Sequence, residues 1–301
     1  MIKALRVIIP AFVRRSLGGY VWWLWADADI FDAQFKADLE VLEQGKTPGP
    51  GIGQEEEQEH IRRYVQKYFG SFQGLKVLGA GCGSGRLEAW MGSEGADSVC
   101  LDRLPEAVKV SRIYAERTSG GGGSVIGDLR MMPFRDSMFD LVNNGGVLEH
   151  FIDLIGVLKE YYRVTRPGGV IIASVPNLVG VNAAFGLKPF TELFLPRSKN
   201  RGFVEQDFSA TRFRRSLEEA GFECLDISPT LFNVCDRFPF RYARAALQGL
   251  RLYDRFRGFL SAFGRKYPGI AFGYSFMIAL ARKPAYQPAT PVGIGALSCR
   301  Q

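Results

Sequence analysis

Residues Val77 to Arg86 read VLGAGCGSGR, an apolar run that enters a loop with glycine at every second position: Gly79, Gly81, Gly83 and Gly85. A buried strand running into a loop without Cβ atoms lets a ligand lie directly against the backbone. The following helix then begins with free N–H groups facing that ligand. The spacing narrows the ligand further. A dinucleotide fingerprint needs G-x-G-x-x-G, but the sixth position from Gly79 or Gly81 is Ser84 or Arg86. A phosphate-cradling P-loop needs Gly-Lys-Ser/Thr, and Gly85 is followed by Arg86 and Leu87.

Further segments follow in order. Ser98 to Asp102 (SVCLD) is a second apolar run ending in an acid, and a carboxylate there can accept both hydroxyl protons of a ribose. Val125 to Asp128 (VIGD) ends the same way, and Met132 to Asp140 (MPFRDSMFD) connects to Leu141–His150 (LVNNGGVLEH). Arg163 to Gly169 (RVTRPGG) then precedes the apolar run Val170–Ser174. In this order and at these spacings the chain resembles the class I S-adenosylmethionine-dependent methyltransferases. The nearest subgroup is the broad one that includes the ubiquinone and menaquinone biosynthesis methyltransferases.

The resemblance implies an α/β fold: a Rossmann-like, doubly wound, seven-stranded mixed sheet whose last strand is antiparallel. It also implies S-adenosyl-L-methionine as cofactor. Gly79, Gly81, Cys82 and Gly83 would line the methionine end, and Asp102 with neighbouring Arg103 the ribose. Asp128 and Leu129 would meet the adenine, and Asn144 and Gly145 would lie beneath the cofactor. The family usually has Asp or Glu where this chain has Gly79. That acid orders the loop and faces the cationic methionine end, so its loss points either to drift within a working site or to a weakened enzyme kept as a binding partner.

Of the two histidines, His60 sits in a leading helix beside Glu59 and reads as a surface residue. His150 follows Glu149 just past strand four, at the carboxyl edge where ligands bind in such sheets. It is the candidate catalytic base for an acceptor hydroxyl, with a structural histidine near the site as the alternative. No metal site is expected. The five cysteines fit no C-x-x-C or Cys/His ligand spacing, which points to reduced thiols and a cytoplasmic location. Cys82 reads as a space-filler.

Residues 1–53 form a leader, 54–283 the methyltransferase domain, and 284–301 a tail. Inserts are expected at about 178–208, after strand five, and 229–268, after strand six. The net charge of +7 is unevenly placed: Lys3, Arg6, Arg14 and Arg15 precede any acid, and residues 237–266 hold eight basic residues against Asp254. Tyr20 to Trp25 reads YVWWLW. Trp and Tyr suit a membrane interface, so the leader reads either as a peripheral contact with an anionic membrane or as a lid over the acceptor pocket. No apolar run reaches the length of a spanning helix, and no signal peptide is expected. Without a recognisable RNA-binding module, nucleic acid is disfavoured as a partner. The Phe, Leu and Tyr content of the inserts suits a bulky, partly apolar small-molecule acceptor such as a quinone precursor, a lipid-linked sugar or a polyketide, methylated on oxygen. A non-catalytic binding protein and a peripheral membrane protein are the alternatives.

Overall fold

The computed structural model describes residues 28–47, 54–118, 122–177, 206, 208–232 and 274–285. Two helices, α1 (Ala28–Glu43) and α2 (Gln54–Tyr68), precede β1 (Lys76–Ala80). Then follow α3 (Arg86–Ser93), β2 (Asp97–Asp102), α4 (Pro105–Arg117), β3 (Ser124–Ile126), β4 (Phe139–Gly145) and a 3₁₀ turn at Leu148–His150. Beyond these lie α5 (Leu154–Val164), β5 (Thr165–Pro176), α6 (Ala210–Glu219), β6 (Glu223–Phe232) and β7 (Tyr274–Arg282).

The strands form one sheet in the order β3-β2-β1-β4-β5-β7-β6. β1 to β5 run parallel, and β7 lies antiparallel between β5 and β6. This is the expected seven-stranded mixed sheet, with β1 in its interior. Parallel strands of this kind must be covered on both faces, and alternate residues supply the two cores. Val77, Leu141, Val170 and Ile172 pack with Ile61, Tyr64 and Val65 of α2 and Met91 of α3. Leu78, Val142, Ile171 and Ala173 face the opposite way, onto Val157, Leu158 and Tyr161 of α5 and Phe213 and Leu217 of α6.

Local signals set the helix ends. Acids Glu55, Glu56 and Glu57 open α2 and Lys67 closes it, matching the helix dipole. Pro105 occupies the first turn of α4, where a missing N–H costs nothing. Ser209 caps α6 by accepting the Arg212 N–H at 3.2 Å.

Three expectations change. Strand five starts before the apolar run Val170–Ser174: β5 begins at Thr165 and takes in Pro167 to Gly169, its pairing with β4 jumping from Phe139↔Thr165 to Leu141↔Val170 as a bulge. β6 continues to Phe232, past the expected start of the second insert at 229, because β7 pairs with it as far as Phe232↔Tyr274. Pro229 is tolerated there since β6 is an edge strand among those described. His60 is buried, not on the surface: it lies 7% exposed, with Nδ1 2.9 Å from an Arg63 guanidinium nitrogen.

Part of the leader belongs to the folded body. α1 packs on α4, where Leu42 joins Ala89, Val110 and Tyr114 in a small third core. Arg117 ties the end of α1 down by donating to the Leu42 carbonyl at 2.6 Å and the Lys46 carbonyl at 2.9 Å. The Tyr20–Trp25 run, most of both expected inserts and the tail beyond 285 lie outside the described residues. Among the described residues, no helix is long and apolar enough to cross a membrane.

Candidate active site

The glycine loop crosses from β1 to α3 at the carboxyl edge of the sheet. Gly81, Gly83 and Gly85 all have positive φ (72°, 53° and 66°), a conformation glycine adopts without a Cβ penalty. The Gly81 and Cys82 N–H groups donate to the Leu101 carbonyl at 2.8 and 3.0 Å, fastening the loop to the end of β2. A side chain at Gly81 would also run into Val147, 2.9 Å from the Cβ position. Phe35 of α1 lies against the outer side of the loop, 3.1 Å from the Cβ position of Gly83.

Asp102 ends β2 beside this loop. One carboxylate oxygen accepts the Gly83 N–H at 2.9 Å and the other the Leu104 N–H at 3.0 Å. Burial raises its pKa, against those backbone N–H groups and the charge of Arg103. Each oxygen retains a lone pair for a further donor. Arg103 itself is exposed. Asp128 stands just past β3, half-exposed, and Arg130 clasps both its oxygens at 2.5–3.1 Å, which lowers its pKa. Leu129 is buried, with Cδ1 3.4 Å from the Cβ position of Gly81. Asp102, Asp128 and the glycine loop therefore gather at one edge.

The two strand-four asparagines point to opposite faces. Asn144 turns toward α5, and its Nδ2 donates to the Ala80 carbonyl at 2.6 Å and to the Tyr161 hydroxyl at 2.8 Å. It ties β4 to the end of β1. Asn143 faces α3 instead, donating to Glu88 Oε1 at 2.9 Å. Glu88 is 2% exposed, and burial raises its pKa. At Gly145 a second buried carboxyl arrives, since Glu57 Oε1 lies 3.0 Å from the Cβ position and accepts the Ser174 hydroxyl at 3.2 Å. The stem of Glu57 is partly exposed, but desolvation pushes its carboxyl up to about 7, with the nearby Glu88 charge adding to the shift.

The sequence reading missed Glu57, Glu88 and Asn143. Glu57 lies in an acidic helix start that the helix dipole already explains. Only the gap at Gly79, with an acid in the first turn of the next helix, hints at Glu88.

Neighbouring Cys100 and burial hold the Cys82 thiol well above the ordinary thiol range, as suits a packing residue rather than a nucleophile. Cys82, Cys100 and Cys224 are free thiols. His150 closes the 3₁₀ turn after β4, half-buried, beside the fully buried Glu149.

The arrangement suits a nucleoside-bearing cofactor laid across the strand ends. A backbone loop without side chains meets one end, carboxylates stand at the tips of two successive strands, and acceptor-rich side chains lie below. This is the constitution of a nucleotide-cofactor site in a doubly wound sheet.

A methyltransferase-domain family model matches residues 78–173. A ubiquinone biosynthesis O-methyltransferase of Cereibacter sphaeroides is 36% identical over 111 residues, 35% of this chain and 43% of that protein. The match thus spans less than half the length of that relative. Another protein of the same description, from Xanthomonas oryzae pv. oryzae, is 33% identical over 168 residues, 53% of this chain and 67% of that protein. The crystal structure of magnesium protoporphyrin IX methyltransferase from Synechocystis PCC 6803, with bound SAH, has the same fold. It superposes with a TM-score of 0.56 at 15% identity, over 85% of this chain and 99% of that one. The chain belongs to the class I S-adenosylmethionine-dependent methyltransferases, within the ubiquinone-type subgroup.

Proposed function

We propose that the chain transfers a methyl group from S-adenosylmethionine to an oxygen of a bulky, partly apolar small molecule. A quinone precursor, a lipid-linked sugar or a polyketide-like molecule would fit that description. The observation that carries the reading is the joining of the glycine loop to Asp102, which sets a buried carboxylate with free lone pairs beside bare backbone. Two relatives described as ubiquinone biosynthesis O-methyltransferases support oxygen as the acceptor atom. Met131 and Ile152, each 81% exposed, add apolar surface close to Asp128 and His150 in the chain and support a partly apolar acceptor.

The cofactor supplies an electrophilic methyl carbon on a sulfonium. The protein's part is then mainly positioning and the exclusion of water. Asp102 would fix the ribose, and Asp128 and Leu129 the adenine. Gly81, Cys82 and Gly83 would admit the methionine end, with Gly145 below. His150 would take the acceptor's hydroxyl proton. The basic, aromatic residues at 1–27 and 237–266 support acceptor pick-up at an anionic membrane surface.

The test is titration of the whole chain with S-adenosylmethionine, followed by transfer of labelled methyl to catechol and polyprenylated phenol probes. Saturable binding with label on phenol oxygen is the expected result. No binding at millimolar cofactor would overturn the reading. Flotation with anionic and neutral liposomes tests the membrane element separately.

A further inference from the structure

On the face of the sheet covered by α2 and α3, the apolar rows stop short of the carboxyl edge. Val77, Leu141 and Ile172 pack into the core on this face, and the next positions outward on the same face are Gly79, Asn143 with Gly145, and Ser174. Two carboxyls from different helices fill the space so left: Glu88 from α3 over Gly79 and Asn143, and Glu57 from α2 over Gly145 and Ser174. A Cβ built on Gly79 would fall 2.5 Å from Glu88 Oε1 and the same distance from Glu88 Cγ. The space that a side chain at 79 would take is therefore the space Glu88 holds.

This cradle is rich in acceptors and poor in donors. Asn143 spends its Nδ2 on Glu88, while its own Oδ1 is buried and has no hydrogen-bond partner among the described residues. The residue is 3% exposed. A buried amide oxygen beside a buried carboxyl calls for a group bearing several N–H donors and positive charge. S-adenosylmethionine carries such a group, the α-ammonium of its methionine end, close to a sulfonium.

Resting on the methyltransferase reading, we propose that Glu88 supplies the acidic group that position 79 lacks. The pair Gly79 and Glu88 is then a compensated exchange: the carboxyl reaches the cofactor's methionine ammonium from the first turn of α3 instead of from β1. Burial raises the Glu88 pKa, which a bound cation would offset. Glu88 acts as a positioning residue at the cofactor and takes no part in bond making.

The exchange is tested by isothermal titration with S-adenosylmethionine, with melting of the cofactor-free protein in parallel. The full-length chain is used as wild type, Glu88→Gln, Glu88→Ala, Gly79→Asp and Gly79→Asp/Glu88→Ala. Glu88→Gln keeps the shape and should weaken cofactor binding by about tenfold or more without lowering the melting point. Gly79→Asp alone forces two carboxyls into one buried volume, so it should melt earlier and bind worse. The double variant should regain affinity to near the wild-type level and melt above Gly79→Asp. The proposal falls if Glu88→Gln binds as the wild type does, or if the double variant binds no better than Glu88→Ala. Should Glu88→Ala not fold, the Gln variant decides alone. A wild type that binds no S-adenosylmethionine removes the methyltransferase reading and this proposal together; a wild type that binds, with unaltered variants, removes only this one.

Discussion

Asp102 accepts the backbone N–H of Gly83 at 2.9 Å, so the acid at the end of β2 holds the glycine loop as well as facing any ligand within it. The loop's shape and the proposed ribose acceptor are thus one device. A change at either residue reaches the other through a single hydrogen bond.

Asp102→Ala should therefore do two things. Loss of a charged acceptor for the ribose weakens S-adenosylmethionine binding by roughly ten- to more than a hundredfold. Loss of the Gly83 and Leu104 partners also lowers the melting point of the cofactor-free protein. Asp102→Asn, which keeps one acceptor oxygen, should retain more of the stability than of the affinity. Titration calorimetry and thermal melts on both variants check this.

Glu57 predicts a pH dependence with a definite sign. Its folded pKa is about 7 against an ordinary 4.5, so the folded state holds a proton that the unfolded state gives up first. Its contribution is whole below about 4.5, declines as pH rises, and is lost above about 7, a change on the order of 3 kcal/mol at most. Urea unfolding across this window should show stability falling with rising pH, and Glu57→Gln should flatten that slope. A bound cation would lower the Glu57 pKa, so cofactor binding near neutrality should release protons, measurable by calorimetry in buffers of different ionisation heats.

Arg163 should prove a structural keystone of the connection into β4. Its guanidinium meets Glu160 at 2.6 and 2.8 Å and Asp136 at 2.7 Å, and donates to the carbonyls of Phe134 at 2.8 Å and Met132 at 3.1 Å. The ion pair also holds the Glu160 carboxyl below its ordinary range. Arg163→Ala should cost about 2–4 kcal/mol, since Glu160 is left mostly buried without its cation. Arg163→Lys should recover little, because an ammonium cannot reproduce the planar fork. Equilibrium unfolding of the two variants decides between them.

If His150 is the base, His150→Gln should lower kcat by about a hundredfold or more while leaving the S-adenosylmethionine Kd within a few-fold of wild type. A parallel fall in cofactor affinity would instead mark His150 as a structural residue.

Much of this architecture could be read from local signals. The glycine loop, the acids ending the runs at Asp102 and Asp128, and the proline and serine at the starts of α4 and α6 are each set by neighbours a few residues away. The sequence reading went astray where distant partners decide. Ser228 and Pro229 look like the end of a strand until β7 is known to lie alongside. His60 looks exposed until α2 is laid on the sheet. Glu57 and Glu88 are ordinary helix acids until two helices bring them over the strand ends, Glu57 over Gly145 and Glu88 over Gly79.

The position of β7 also bears on how the chain is made. Among the described strands β6 pairs with β7 alone, and the outer edge of β5 waits for the same strand. A ribosome-bound chain that has emerged through Phe232 can complete β1 to β5 but has nowhere to seat β6 until Tyr274–Arg282 follows. Until then an unpaired strand edge is open to other chains. A stop codon placed anywhere between 233 and 273 should thus yield an aggregating product rather than a smaller enzyme.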